Sequence, residues 1–124
     1  MAAFADRVED TTTTVGTGNI TLSGTPPTGR VSFNSAFGFG GIEALRFAYV
    51  IQSVDESEWE TGIGYLSTST TLVREKVEGS SNSGSLVPFS SGTKKVFATL
   101  LGTQVRRLYS GARNLLIGRG NFLP

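Results

Sequence analysis

The 124-residue chain contains no cysteine and no histidine, and beyond Glu78 it contains no acid. Without cysteine there is no disulfide to staple the fold and no thiol to act as a nucleophile. Without histidine the chain lacks the commonest general base, the imidazole of a catalytic triad and the preferred zinc ligand. Calcium asks only for oxygen ligands, so that metal is not excluded by composition. Long apolar runs are missing too. The longest, residues 45–51, is interrupted by Arg46 and is too short to cross a bilayer. The opening Met-Ala-Ala-Phe-Ala-Asp-Arg lacks the apolar centre of a secretory signal, so synthesis and solubility in a cytoplasm are expected.

What is present is unevenly placed. The first 78 residues hold all ten acids and five bases, a balance of −5. The remainder holds Lys94, Lys95, Arg106, Arg107, Arg113 and Arg119, a balance of +6, and the two sum to the net +1. A chain polarised in this way offers two unlike surfaces, which neighbours can pair head to tail.

Sixteen glycines, many serines and threonines and 38% hydrophobic residues suit short strands and many turns. The β-branched run Thr11-Thr12-Thr13-Thr14 closes an extended segment over 6–14. Gly16-Thr17-Gly18 breaks it, and Asn19-Ile20-Thr21-Leu22 resumes, which predicts a hairpin. Residues 24–29, with Pro26-Pro27, read as an exposed loop. A short strand and a tight turn are expected over 31–43. Residues 44–53 form the best core strand, with Leu45, Phe47, Tyr49 and Ile51 on one face and Ala48 and Val50 making the other partly apolar. After the polar turn at Asp55-Glu56-Ser57, Trp59, Thr61, Ile63 and Tyr65 alternate with Glu58, Glu60, Gly62 and Gly64. That predicts a half-buried strand with its acids in water. Further strands are expected over 70–77, 86–89 and 94–101. In 70–77 the order Leu72-Val73 leaves the inward face open, and Pro88 sends 86–89 to an edge. No helical period of useful length precedes residue 103. The expected fold is all-β: an antiparallel β-sandwich or small barrel of seven or eight short strands over residues 1–101.

Residues 102–124 differ. Val105, Leu108 and Ala112 recur at helical spacing with Arg106 and Arg107 between them, and Leu115-Leu116-Ile117 is a bare apolar cluster. The segment is expected to be an arm or short helix that folds back or grips another subunit. Its candidate partner-binding residues are Arg106, Arg107, Arg113, Leu115, Leu116, Ile117, Arg119 and Phe122.

Few groups suggest chemistry. Asp55, Glu56, Glu58 and Glu60 could supply a carboxylate pair for glycoside hydrolysis or oxygens for calcium, but they read first as a solvated strand edge or interface. No Asp-x-Asp-x-Asp-Gly loop is present. Gly38-Phe39-Gly40-Gly41 has Glu43 where the third glycine of a dinucleotide loop would stand, and reads as a turn. The basic end could meet phosphates, with Tyr109 and Phe122 stacking on bases, yet its charge density is mild, and an acidic protein surface is the better match. Eight Phe, three Tyr and one Trp read mostly as core, with an aromatic sugar platform as the alternative. No enzymatic activity, catalytic residue, metal or cofactor is expected.

Three ordered segments carry a resemblance. They are Phe4-Ala5-Asp6-Arg7-Val8 running into Thr11–Thr14 with Gly16-Thr17-Gly18 and Thr21-Leu22; Glu58-Trp59-Glu60-Thr61-Gly62-Ile63-Gly64 with Thr71-Leu72-Val73-Arg74; and Ser80-Ser81-Asn82-Ser83 with Val87, Phe89-Ser90, Gly92-Thr93-Lys94 and Val96-Phe97. Over residues 4–100 the set resembles a small β-domain recurrent in virion proteins of tailed bacteriophages, often in tail fibres or spikes. The resemblance implies a non-enzymatic structural role in a virion, as a symmetric oligomer with a trimer favoured, in contact with capsid or tail subunits. It implies no membrane partner. Because no shaft or receptor-binding region follows, a decoration, cement or adaptor piece is expected rather than a fibre.

Overall fold

The computed structural model describes residues 5–40 and 45–99. The arm residues 102–124, with all eight candidate partner-binding positions and the 101/102 boundary, lie outside the described residues. The elements are β1 (Glu9–Thr12), β2 (Ile20–Thr21), α1 (Phe33–Phe37), β3 (Phe47–Ser53), β4 (Trp59–Thr68), β5 (Thr71–Ser80) and β6 (Lys94–Ala98). The six strands form one antiparallel sheet in the order β1-β6-β3-β4-β5-β2. A lone bridge from Thr12 to Leu22 brings the two edges together and nearly closes the sheet into a small barrel. The small all-β architecture is the one expected from the sequence, with six strands among the described residues where seven or eight were expected. Residues 86–89 form no strand; Phe89 makes a lone bridge to Gly16.

The predicted hairpin over 6–22 is also corrected. β1 spends its ladder on β6 and β2 spends its ladder on β5. The two meet at the Thr12–Leu22 bridge, helped by Thr12 Oγ1 donating to Thr21 O at 2.6 Å and Ser23 N to Thr11 O at 2.9 Å. The segment is a seam joining sheet edges, and the glycines between its strands carry it around a corner.

Residues 33–37 form a single helical turn, where sequence periodicity predicts a strand. Ser32 caps it by accepting from Ser35 N at 3.0 Å, and Gly38, at φ 74, ends it. Spacing of four puts Phe33 and Phe37 on one side of the turn, where Phe37 stacks on Phe47 at 4.5 Å between ring centroids and Phe33 meets it tilted at 5.1 Å. The helix thus packs against the start of β3. Burial of three aromatic rings at roughly 1.5–3 kcal/mol each outweighs the weak helix propensity of Phe-Asn-Ser.

Phe47, Tyr49 and Ile51 of β3 meet Leu66, Leu72, Ile20 and Val96 in the core. Leu45, expected on that face, precedes the strand and is 49% exposed. In β4 the predicted faces are exchanged: Glu60, Gly62, Gly64 and Leu66 are buried, while Trp59, Thr61, Ile63 and Tyr65 alternate with them on the outside. The same alternation puts Val50, Val73 and Phe97 outward from their strands. The barrel therefore carries an outer face of half-buried apolar residues, with Trp59 at its exposed end.

Candidate functional site

Of the four clustered acids, only Glu60 enters the core, and the reason is steric. Tyr49 lies directly opposite Gly62 in the β3–β4 ladder. A Cβ on Gly62 would stand 2.7 Å from the Tyr49 hydroxyl and would collide with Lys76 O. A Cβ on Gly64 would meet Tyr49 Cδ2 at 3.4 Å and collide with Val73 O. The two glycines clear a channel along β4 in which the tyrosine ring lies flat. Its hydroxyl then reaches Glu60 and donates to Oε2 at 2.6 Å. Burial and the adjoining carboxylate hold that hydroxyl protonated far above the ordinary tyrosine range.

Arg74 completes the network. It faces inward because Leu72, two residues earlier on β5, also does. Its Nη1 donates to Glu60 Oε1 at 3.0 Å and to Val87 O at 3.1 Å. Its Nε and Nη2 donate to Gly18 O, and Nη2 also to Gly16 O at 2.9 Å. Glu60 Oε1 accepts a further bond from Val87 N at 2.9 Å. Both side chains are fully out of water, with exposures of 1% and 0%. A buried pair of this kind is tolerable only when its remaining donors and acceptors are satisfied, as these are. The pair ties the 16–18 loop and residue 87 to the barrel interior, and Phe89 packs below the guanidinium.

The other acids work similarly at the surface. Glu58 accepts from Ser90 N at 3.0 Å and Ser90 Oγ at 2.8 Å, bonds that lower its pKa. Glu58 and Glu60 therefore hold the same segment, residues 87–90, from outside and inside. Asp55 Oδ1 accepts from Ser57 N, Ser53 Oγ and Ser57 Oγ, which pulls its pKa down to about 2 and rigidifies the β3–β4 turn. Asp10 is buried and bonds Thr11 N, Gly24 N and the Ser23 hydroxyl. Lys94 is buried and donates to Thr14 O at 2.9 Å; desolvation lowers its pKa.

The geometry thus spends these carboxylates and cations on fastening loops. No three acids come together to hold a metal ion among the described residues. Gly38 and Gly40 take positive φ of 74 and 110 after α1, where the sequence reading expects a turn between strands; Gly41 lies outside the described residues. Sequence reasoning missed the Glu60–Arg74–Tyr49 network. The available signal was the match between Leu72-x-Arg74 and Glu60-x-Gly62-x-Gly64, two inward periods each offering one charge.

Surface features remain for contact with other molecules. Arg46 lies over the Tyr65 ring at 4.1 Å and pairs with Glu75 through two hydrogen bonds, at 2.9 and 3.0 Å. Trp59 is 38% exposed on the outer face of β4. No family model, curated protein or solved structure matches the chain.

Proposed function

We propose that the protein is a bacteriophage virion structural component that decorates, cements or bridges larger virion subunits. The observation that carries this reading is the second apolar face of the barrel. A six-stranded barrel needs only its inward residues for a core, and here those pack into one cluster. Val50, Ile63, Tyr65, Val73 and Phe97 nevertheless line the outside, with Trp59 at the margin. Apolar residues grouped on an outer surface favour contact with another protein. The ordered sequence resemblance to tailed-phage virion domains supplies the setting, and the spent buried charges suit a scaffold better than a catalyst.

In this reading the barrel spans a junction, and residues 102–124 anchor it through Leu115, Leu116, Ile117 and Phe122, flanked by Arg106, Arg107, Arg113 and Arg119. Burying about 300 Å² of apolar arm would contribute on the order of 7 kcal/mol gross. Ordering the arm offsets much of that, and repetition over a symmetric particle restores firm attachment. A trimer or other symmetric assembly, in contact with capsid or tail subunits and needing no cofactor, is the form proposed. Removal of residues 103–124 is expected to leave a folded, soluble barrel that no longer joins particles. Sedimentation of virions followed by detection of the truncated protein checks this, and normal incorporation would refute the arm.

A carbohydrate-binding adhesion module is the second reading, favoured by one observation: Trp59 is presented to solvent on a sheet face, as a sugar platform requires. Tyr65 is partly covered by Arg46, which weakens the platform. Trp59 fluorescence titrated with glycans separates the two readings.

A further inference from the structure

On the β1–β6 side of the barrel lies an open groove of about 370 Å³. Its lining is mixed: Val8, Phe97 and Ala98 are apolar, Gln52 is neutral, and Arg7, Arg30 and Lys95 stand against a single acid, Glu9. Glu9 is engaged by Arg30 at 3.4 Å, so the groove is left with two cations in excess. Arg7 donates through Nε to Gly29 O at 2.8 Å, which holds its guanidinium at the rim. Lys95 is exposed and has no ion-pair partner among the described residues. A groove of mixed lining with an excess of cations calls for a short acidic segment bearing an apolar side chain.

The chain itself displays one. At the β3–β4 turn Val54 is 77% exposed, the most exposed large hydrophobic among the described residues. Asp55 and Glu56 follow it, both exposed, and Glu56 has no ion-pair partner among the described residues. The turn is held in shape by Glu56 N donating to Ser53 O at 2.9 Å and by the three bonds to Asp55 Oδ1. A preformed tip loses little conformational freedom on docking.

We propose that the β3–β4 turn of one copy docks in this groove of a second copy, Val54 against Phe97 and Ala98 and Asp55 and Glu56 against Arg7 and Lys95. The contact joins two different surfaces, the turn of one copy and the groove of the other. It is smaller than a free-standing interface of about 1,200 Å², so it is weak alone and acts by repetition. It stands independently of the virion reading and of the arm.

Sedimentation velocity of the full chain tests it. Association is expected to grow with protein concentration at roughly 20 mM salt and to vanish at roughly 500 mM, where the screening length falls to about 4 Å. Glu56→Lys and Lys95→Glu each weaken association by about tenfold or more, and mixing the two variants restores it, because each reversed tip finds a reversed groove. Both positions are exposed, and unchanged circular dichroism confirms intact folding. A chain that stays monomeric at low salt, association indifferent to both reversals, or a mixture that fails to recover would overturn the proposal. None of these results bears on whether the protein joins a particle.

Discussion

Glu60 and Arg74 show how much a single buried charge can decide. Truncation by Glu60→Ala leaves Arg74, the Tyr49 hydroxyl and Val87 N without their shared acceptor in a dry interior. The expected loss is about 3–5 kcal/mol of unfolding free energy, measured by chemical denaturation. Replacing both partners by apolar residues, Glu60→Leu with Arg74→Met, is expected to cost less than the sum of the two single changes, since neither charge is then orphaned. This is also where the sequence misled. Glutamate alternating with tryptophan, isoleucine and tyrosine says that the acid faces water, and that inference is sound for a strand with one wet face. It fails here because the wet face is itself apolar and because the partner charge comes from another strand. Pairing across strands is invisible to a periodicity read along one of them.

The β3–β4 and β5 strands were legible because alternation or β-branched runs continue for seven residues or more and turn residues bracket them. α1 was not, since five residues hold little more than one helical period, and Phe33 and Phe37 also fit a strand with a gap. Its real markers were the cap at Ser32 and the stop at Gly38. The β3–β4 turn yields a pH prediction. The Asp55 carboxyl is held at about 2 in the fold, against 3.8 unperturbed, and Glu58 is also held low. A depressed carboxyl stabilises the fold above its unfolded pKa, and that contribution is lost as pH falls through the folded value. The thermal midpoint is therefore expected to decline between about pH 4 and pH 2. In Asp55→Asn the decline should be shallower and the neutral-pH midpoint lower, as read from melting curves at stepped pH.

At the scale of the molecule, the barrel is built around a late arrival. β6, the last strand described, is inserted between β1 and β3, with Glu9 opposite Phe97 and Val50 opposite the same residue on the other side. Until residues 94–98 exist, β1 has no ladder partner and β3 keeps a bare edge of unpaired amides. A fragment ending at residue 93 is accordingly expected to aggregate or remain unfolded, whereas one ending at 102 gives a cooperative melt. Circular dichroism and light scattering on the two fragments decide the matter. Synthesis on the ribosome meets the same constraint. The emerging polypeptide stays an incomplete ring until residues 94–98 have been made, and the ring is filled when β6 slides into a slot waiting between neighbours made long before.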